Sequence, residues 1–376
     1  MDVVTFSTRE ADNGKVIGIA TLNSERSLNA LSLPMVELLE PQLRAWRDDP
    51  QVACVWLEGA GEKAFCAGGD IVAMYRAMQD RPGTVVSEVE DFFTREYQLD
   101  YLIQTFPKPF VVWANGIVMG GGMGLMNGAS HRIVTETSRL AMPEVSIGLY
   151  PDVGGTYFLS RMTDDLGLFM GLTGAQMNAN DALYLKLADH FAPAAEKETV
   201  LTLMTQLPWG DTAALNKQKL TDLLEGVAQQ HRSSMPRAQV KPHQETLTGL
   251  IHAESVAEVV ERILALDAGD DKWLARAQKN LAAGCPMTAH IVWNQVRHGA
   301  DLNLADCFKL ELTLSVNCAV KGDFAEGIRA LLIDKDLQPK WSYASVAEVP
   351  AEAVDDMFIS PWAETEHPLH DLAARN

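Results

Sequence analysis

The chain is poor in cysteine and in positive charge. Its five cysteines are odd in number and widely spaced among 376 residues, and no CxxC pair is present. This pattern argues against a disulfide framework and against a zinc site. Lysine and arginine total 31 against 50 aspartates and glutamates, so the net charge is −19. Because a nucleic-acid binder needs a basic face to neutralise phosphates, we expect no nucleic-acid partner.

We expect neither a leader segment nor a membrane span. The first residues do not join a basic segment to an apolar core, so we expect no signal peptide and a cytoplasmic location. Residues 109–130 carry no charge, but six glycines interrupt them. A buried strand, turn and helix explain this stretch better than a membrane span does, and we therefore expect no membrane partner.

The signatures of several common catalytic sites are absent too. The sequence contains no GxxxxGKS or GxxxxGKT, no GxSxG and no HExxH. A cluster of glycines begins at Gly120, but Leu125 occupies the place of the third glycine of GxGxxG, so nucleotide binding has little support. The acidic tail holds four potential metal ligands, Glu364, Glu366, His367 and His370. Since acidic tails mostly interact with solvent, we assign no metal site.

Strand-like and helix-like patterns alternate through the first half of the chain. Residues 3–8 and 15–23 predict paired strands. A helical pattern follows, which Pro41 is expected to kink or divide. Continuous apolar runs at 52–59 and 110–114 predict buried strands. The repeated order of strand, glycine turn and helix predicts an α/β fold with a mostly parallel sheet and helices packed outside it.

We predict three regions along the chain. Residues 1–190 form the α/β core. Residues 191–343 are acidic and rich in leucine and glutamine, without a strong strand pattern, so a mainly helical region is expected. Residues 344–376 are acidic and contain three prolines, which predicts a tail that wraps the surface or is partly disordered.

Two glycine-rich turns are the first candidates for chemistry. AFCAGGD (64–70) and NGIVMGGGMG (115–124) each contain consecutive glycines near an apolar strand. Such turns bring bare backbone close to a ligand and aim amide N–H groups at a negative oxygen. The alternatives are a plain strand-to-helix turn in the first case and close packing of helix on sheet in the second.

Two carboxylates eight positions apart are the second candidates. Glu144 follows Pro143 in an apolar context, where burial raises the pKa of a carboxyl group to a value useful for proton transfer. The alternative is a capping or salt-bridged glutamate. Asp152 precedes a pair of glycines and is equally suited to cap a helix that begins near Gly155.

In combination these stretches resemble the crotonase (enoyl-CoA hydratase/isomerase) superfamily. The motifs that carry the resemblance are SLNALS (27–32), KAFCAGGD (63–70), FFTREY (92–97), NGIVMGGGMGL (115–125), MPEVSIGLYPDVGGTYFL (142–159) and DFAEGIRALLIDKDLQPKW (323–341). They span nearly the whole chain apart from the tail. The resemblance implies a crotonase-like spiral of ββα units with a helical C-terminal region.

The resemblance also implies roles for particular residues. The amide N–H groups of Gly69 and Gly121 are expected to form an oxyanion hole for a thioester carbonyl. Glu144 and Asp152 are expected at the scissile carbon, and Glu96 at a polar position that contacts the substrate.

Further contacts to an acyl-CoA substrate are expected from neighbouring residues. Gly68 and Gly120 shape the two turns, and Lys63 and Arg26 are candidates for the CoA phosphates. CoA is then part of the substrate, and no separate cofactor is expected. The resemblance is compatible with a homo-oligomer, since superfamily members assemble as trimers, and also with a C-terminal region that covers its own subunit.

One departure from the superfamily pattern limits which of the superfamily's reactions we expect. Superfamily hydratases carry a second catalytic glutamate at the position of Gly124, and glycine has no group that transfers a proton. Together with Glu96 and residues 323–336, this departure resembles the branch that hydrolyses short 3-hydroxyacyl-CoA thioesters. We therefore expect hydrolysis, with 3-hydroxyisobutyryl-CoA of valine breakdown as substrate. A double-bond isomerase or hydratase and a non-catalytic acyl-CoA-binding scaffold are the alternatives.

Overall fold

The structure is a computed structural model that describes residues 2–321 and 323–374. Within these ranges the strands form two sheets, one of six strands in the order β1-β2-β3-β5-β7-β9 and one of three in the order β4-β6-β8. The strands are β1 (Val4–Glu10), β2 (Val16–Leu22), β3 (Val52–Gly59), β4 (Ala64–Cys66), β5 (Phe110–Ala114), β6 (Ile117–Met119), β7 (His131–Val134), β8 (Arg139–Ala141) and β9 (His190–Phe191).

Helices make up most of the remaining chain. The α-helices are α1 (Leu33–Asp48), α2 (Ile71–Asp80), α3 (Ser87–Gln104), α4 (Gly121–Asn127), α5 (Gly155–Leu159), α6 (Gly167–Thr173), α7 (Ala179–Tyr184), α8 (Lys197–Thr205), α9 (Ala213–Gln230), α10 (Gln244–Ile251), α11 (Val256–Ala265), α12 (Lys272–Ala283), α13 (Pro286–His298), α14 (Leu304–Val320), α15 (Asp323–Ile328) and α16 (Ala351–Met357). A 3₁₀ turn covers Glu144–Ile147, and a π-helical turn covers Arg329–Ile333.

The predicted mostly parallel sheet is confirmed. β1 and β2 are an antiparallel pair, and the four following pairings of the six-stranded sheet, from β2 to β9, are parallel. The central strands β3 and β5 are almost fully buried, which explains their continuous apolar sequences.

Pro41 does not divide the first helix. α1 runs without a break from Leu33 to Asp48 with Pro41 inside it. Its apolar face, which includes Leu39, Leu43 and Trp46, is buried. Packing of this face offsets the hydrogen bond that proline removes from the helix.

The chain divides into two compact units built from interleaved stretches. The first unit comprises residues 1–69, 99–140 and 177–241, and the second comprises residues 70–98, 141–176 and 242–376. The linear division into residues 1–190, 191–343 and 344–376 describes a different level of organisation and stays a prediction.

The first unit contains nearly all of both β-sheets and an apolar core. Trp56 of β3 and Trp113 of β5 stack with ring centroids 5.5 Å apart. Val200 and Met204 of α8 and Leu220 of α9 belong to the same core cluster. These helices therefore cover the face of the main sheet that carries the two tryptophans.

The second unit consists mainly of helices and includes the acidic tail. In the tail, Val354 and Met357 of α16 are buried, as are Leu369 and Leu372. The described part of the tail is therefore packed onto the unit rather than partly disordered. Burial of these apolar side chains stabilises the packed arrangement. In the described ranges every helix is too short or too polar to span a bilayer.

Candidate active site

The two glycine turns lie at the same sheet edge in the first unit. β4 and β6 are parallel neighbours, with Ala64 opposite Ile117, so the turns that follow them emerge side by side. Gly68 has φ +112° and Gly120 has φ +47° with ψ −121°, conformations that side-chain-bearing residues rarely adopt. The glycines are thus required by the backbone path of both turns.

Each turn leaves an amide N–H free of partners in the described residues. Gly69 N–H donates no hydrogen bond to this part of the chain. Gly121 is the first residue of α4, and the N–H at that position has no intrahelical acceptor. Close packing also operates here, since a Cβ at Gly122 would overlap the carbonyl oxygen of Cys66. The packing interpretation and free N–H donors are therefore compatible.

The two basic residues predicted to hold the CoA phosphates are exposed. Lys63 immediately precedes β4, and Arg26 lies in the 3₁₀ turn Glu25–Ser27. Neither side chain forms a hydrogen bond or ion pair with the described residues, so both remain available to an anionic ligand.

The second unit holds the three predicted carboxylates. Glu144 begins the 3₁₀ turn Glu144–Ile147 and is only 4% exposed. A Cβ at Gly148 would overlap the carbonyl oxygen of Asp323, and a Cβ at Gly327 would overlap Ile147. The turn is therefore clamped against α15 backbone to backbone, which fixes the direction in which the Glu144 side chain leaves it.

Asp152 lies on a loop with an unusual backbone. Val153 has φ +52° and Gly154 has φ +88°, and a positive φ is rare for a β-branched residue. The alternative of a helix cap is wrong for the Asp152 side chain, since Gly154 occupies the N-cap of α5. The backbone carbonyl of Asp152 accepts the N–H of Gly155, whereas its Oδ2 lies within hydrogen-bonding distance of Tyr97 Oη, at 2.8 Å.

Glu96 lies on α3, next to Tyr97. By sequence alone it reads as a solvent-facing helix position, but its exposure is only 2%. No cation compensates this burial in the described residues, because Glu96 forms no ion pair there. The buried position agrees with the role that the superfamily resemblance implies for Glu96.

The three carboxyl groups are electrostatically linked. Burial raises the pKa of Glu96 well above its usual value, and the neighbouring Asp152 raises it further. Burial likewise raises the pKa of Glu144 well above its usual value, and Asp152 and Glu96 add to this effect. Burial raises the pKa of Asp152 to about 7, although the hydrogen bond from Tyr97 works in the opposite direction.

Two carboxyl oxygens of this cluster are buried without a partner in the described chain. They are Glu96 Oε1 and Glu144 Oε2. A buried carboxyl oxygen without a donor is costly for folding, so such atoms are rare outside functional sites. Their presence in one cluster of mutually interacting acids marks the second unit's candidate catalytic group.

Helix α14 contributes site residues that the sequence analysis missed. Glu311 accepts hydrogen bonds from Gly154 and Thr156 N–H, at 2.7 and 2.8 Å. Ser315, one turn later, contacts the hydroxyls of both Tyr97 and Tyr150 at 2.7 Å. The available signal was a glutamate and a serine four positions apart in an otherwise apolar helical segment.

No metal centre is found in the described ranges, where no group of three or more His, Cys, Asp and Glu side chains is arranged to hold an ion. In the tail, His367 instead contacts the carbonyl oxygen of Lys309 through Nε2.

Comparison with known proteins identifies the family. The profile of the enoyl-CoA hydratase/isomerase family matches residues 17–358. The chain belongs to this family. Among solved structures, an enoyl-CoA hydratase from Rhodobacter sphaeroides 2.4.1 aligns with a TM-score of 0.80 and 32% identity, over 95% of this chain and 97% of that one. A carnitinyl-CoA dehydratase from Mycobacterium thermoresistibile has the same TM-score and identity, over 94% and 96%. The predicted crotonase-like α/β fold with a helical C-terminal region is confirmed.

Curated relatives point to one branch of the family. The chain is 39% identical to the Danio rerio protein named 3-hydroxyisobutyryl-CoA hydrolase, mitochondrial, over 91% of this chain and 87% of that protein. Proteins of the same name from Gallus gallus and Homo sapiens are 36% and 34% identical, each over 91% of this chain and 86% of theirs.

Proposed function

We propose that the protein hydrolyses 3-hydroxyisobutyryl-CoA to 3-hydroxyisobutyrate and CoA, a step of valine degradation. The similarity to hydrolases of this name over 91% of the chain supports the substrate. The observation that carries the chemistry is the buried Glu144, whose Oε2 has no hydrogen-bond partner in the described residues. CoA enters as part of the substrate, and the reaction uses no separate cofactor.

Glu144 acts on the thioester carbonyl carbon. It either attacks that carbon, which gives a mixed anhydride and releases the thiolate, or removes a proton from an attacking water. Both routes need an ionised Glu144, and a desolvated carboxylate is the stronger base and nucleophile. Trapping with hydroxylamine separates the routes, because only an anhydride converts Glu144 into a hydroxamate detectable by mass spectrometry.

The amide N–H groups of Gly69 and Gly121 stabilise the negative oxygen that develops during attack. Their lack of acceptors in the described chain supports this role. One such donor contributes on the order of 3–4 kcal/mol of transition-state stabilisation in other enzymes. Lys63 and Arg26, exposed and unpaired there, bind the phosphates of CoA.

Asp152 and Glu96 complete the catalytic group. Asp152 protonates the departing thiolate, and Glu96 binds the 3-hydroxyl group of the substrate. A buried polar partner rejects substrates that lack the matching hydroxyl, because its own hydrogen bond is then lost. The unpartnered Oε1 of Glu96 supports this assignment.

Two other functions predict different products. An isomerase would shift a double bond, with a change in ultraviolet absorption and no free thiol. The hydratase route lacks its second acid, since Gly124 is a buried residue of α4 without a side chain. A non-catalytic scaffold would bind acyl-CoA tightly and convert none. A panel of acyl-CoAs assayed with a thiol-reactive dye distinguishes all of these, and absence of thiol release from 3-hydroxyisobutyryl-CoA would rule out the hydrolase.

Location and assembly are proposed separately. We propose a cytoplasmic location, whereas the curated relatives carry the word mitochondrial in their names. For the assembly state, a homo-oligomer and a single chain whose C-terminal region covers its own core are the two alternatives. Cell fractionation with an antibody to the native protein tests the first point. Light scattering coupled to size exclusion tests the second, since a mass near the 41.2 kDa of one chain would contradict an oligomer.

A further inference from the structure

A continuous chain of hydroxyl groups runs from Asp152 to helix α14. Tyr97 Oη lies 2.8 Å from Asp152 Oδ2 and 2.7 Å from Ser315 Oγ. Ser315 Oγ lies 2.7 Å from Tyr150 Oη, which also donates to the carbonyl oxygen of Glu311. This chain of hydroxyl groups therefore contains four consecutive oxygen–oxygen contacts, all within hydrogen-bonding distance.

The number of hydrogens decides which state of Asp152 this chain accommodates. Each of the three hydroxyls supplies one hydrogen, and the carbonyl of Glu311 can only accept. If Asp152 is ionised, both ends of the chain are acceptors, and three hydrogens must serve four contacts. One pair of oxygens then faces each other without a hydrogen. If Asp152 Oδ2 carries a proton, every contact has one hydrogen and every hydroxyl donates once and accepts once.

Solvent does not supply the missing hydrogen. Tyr97, Tyr150 and Ser315 are each 0% exposed, and Asp152 is 4% exposed. An unsatisfied contact between buried oxygens therefore retains its full cost.

We infer that Ser315 and Tyr150 hold a proton on Asp152 in the resting enzyme, because they engage the Tyr97 hydrogen that would otherwise support the ionised form, and that they act as positioning residues for the acid of the reaction. The inference deepens the proposed function and rests on it for the fate of that proton. When the C–S bond breaks, the thiolate leaves with the electron pair and takes the proton of Asp152. On the anhydride route, the water that then hydrolyses the acyl intermediate returns one hydrogen to Asp152, and its hydroxyl completes the acid product. On the general-base route, the proton that Glu144 takes from the attacking water is the one that restores Asp152.

The charged and titratable groups that face Asp152 agree with a neutral acid. They come from α3, the 3₁₀ turn Glu144–Ile147, the loop itself and α14. In the described residues this set contains acids and other proton donors and no cation: Glu96, Tyr97, Glu144, Tyr150, Glu311 and Cys318. Burial, the largest influence, raises the pKa of Asp152 to about 7.

Two substitutions that break the same chain are expected to act in opposite directions. In Ser315→Ala, the Tyr97 hydroxyl no longer donates to Ser315 and can donate to an ionised Asp152 instead. When Asp152 is protonated, the Tyr97 hydroxyl has no acceptor for its own hydrogen. The protonation midpoint of Asp152 therefore falls by about one pH unit, the equivalent of one net hydrogen bond. Tyr97→Phe removes the one side-chain donor that Asp152 Oδ2 has among the described residues, so the ionised form loses support and the midpoint rises.

The test reads the proton on Asp152 directly. Infrared difference spectra between each protein and its Asp152→Asn counterpart, recorded from pH 4 to pH 10, follow the carbonyl band of the neutral carboxyl group without any substrate. Ser315→Ala removes one oxygen atom and is expected to fold normally. Ser315→Thr, which keeps the hydroxyl, should restore the wild-type midpoint. Thr313→Val, a buried hydroxyl on the same helix, should leave it unchanged.

The outcomes separate the inference from the function. Midpoints that are equal in wild type and Ser315→Ala, or that move in the same direction in Ser315→Ala and Tyr97→Phe, would overturn the proton-holding chain. Opposite shifts support it. Thiol release from 3-hydroxyisobutyryl-CoA is measured independently on the wild type, and its absence would overturn the proposed function without altering the infrared result.

Discussion

The side-chain carboxyl group of Glu311 accepts the amide N–H of Gly154 at 2.7 Å, although 157 positions separate the two residues. Its other oxygen accepts the N–H of Thr156 at 2.8 Å. Gly154 and the preceding Val153 both have positive φ values, so this loop needs outside support to keep its shape. A fully buried glutamate on α14 thus closes the loop that carries Asp152.

Glu311→Gln should destabilise the protein. An amide has one acceptor oxygen, so one backbone N–H would face the NH₂ group and lose its bond. We expect the free energy of unfolding to fall by about 1–3 kcal/mol, measured by urea denaturation. The exposed Glu352→Gln is the matched control and should change it by roughly 0.5 kcal/mol or less. Equal stabilities of the two variants would contradict a supporting role for Glu311.

The contribution of Glu311 to the free energy of unfolding should decrease as pH rises above 4.5. Burial raises the pKa of Glu311 from 4.5 to about 8, so between these values the folded state binds more protons than the unfolded state. The contribution of this group is fully present below pH 4.5 and is lost as pH rises through about 8. The slope for one such group approaches about 1.4 kcal/mol per pH unit. Urea titrations across this window should show a shallower slope for Glu311→Gln.

Glu144→Gln should abolish release of CoA while the fold is retained. The amide oxygen neither attacks a thioester nor accepts a proton, so kcat should fall on the order of 10³-fold or more. The measurement is thiol release, with circular dichroism as the check on folding. Because Gln removes a buried acid whose pKa is raised, the variant should be at least as stable as wild type near pH 8. Wild-type thiol release by a folded Glu144→Gln would refute the role of this residue.

Gly120→Ala should impair catalysis through the backbone. At φ +47° and ψ −121° a Cβ forces the turn to change, and the N–H of Gly121 moves with it. Loss of one oxyanion donor lowers kcat by about 10²- to 10³-fold, with a smaller change in KM. Gly226→Ala provides the control, since nothing lies within 4 Å of its added Cβ in the interior of α9. This control should keep full activity and gain about 0.5–1 kcal/mol of stability.

Glu96→Leu should weaken the preference for a hydroxylated acyl group. In the wild type we expect kcat/KM for 3-hydroxyisobutyryl-CoA to exceed that for isobutyryl-CoA by at least about 10²-fold, because the deoxy substrate leaves Glu96 without its partner. In Glu96→Leu this ratio should drop by about tenfold or more, mainly through poorer use of the hydroxylated substrate. An unchanged ratio would show that another residue reads the hydroxyl group.

Much of the fold was accessible from local patterns. Continuous apolar runs predicted the buried strands Val52–Gly59 and Phe110–Ala114. The connecting turn predicted the antiparallel pair β1 and β2. Glycine clusters marked the two turns because positive φ values are an intrinsic demand on residue type. Pro41 does not divide its helix, because the burial of one helix face outweighs the local preference of proline.

For the candidate site too, local sequence context identified some residues and not others. Glu144 and Asp152 were identified as chemically interesting because their neighbours in sequence are apolar or conformationally special. Glu96 was identified only through a family resemblance, as its sequence neighbourhood is that of an ordinary amphipathic helix. Its burial comes from contacts with residues remote in sequence, which no local pattern contains.

The amino-acid sequence by itself determined the order of strands and helices, the two glycine turns and the family to which the chain belongs, because these depend on residue type and short spacing. Only the tertiary structure decided that Tyr97, Tyr150, Glu311 and Ser315 surround Asp152. Tyr97 and the α14 residues Glu311 and Ser315 are far from Asp152 along the chain and are ordinary in their local context. Hydrogen-bond stoichiometry depends on the positions of all the partners at once, so the state of a buried proton follows from the folded chain alone.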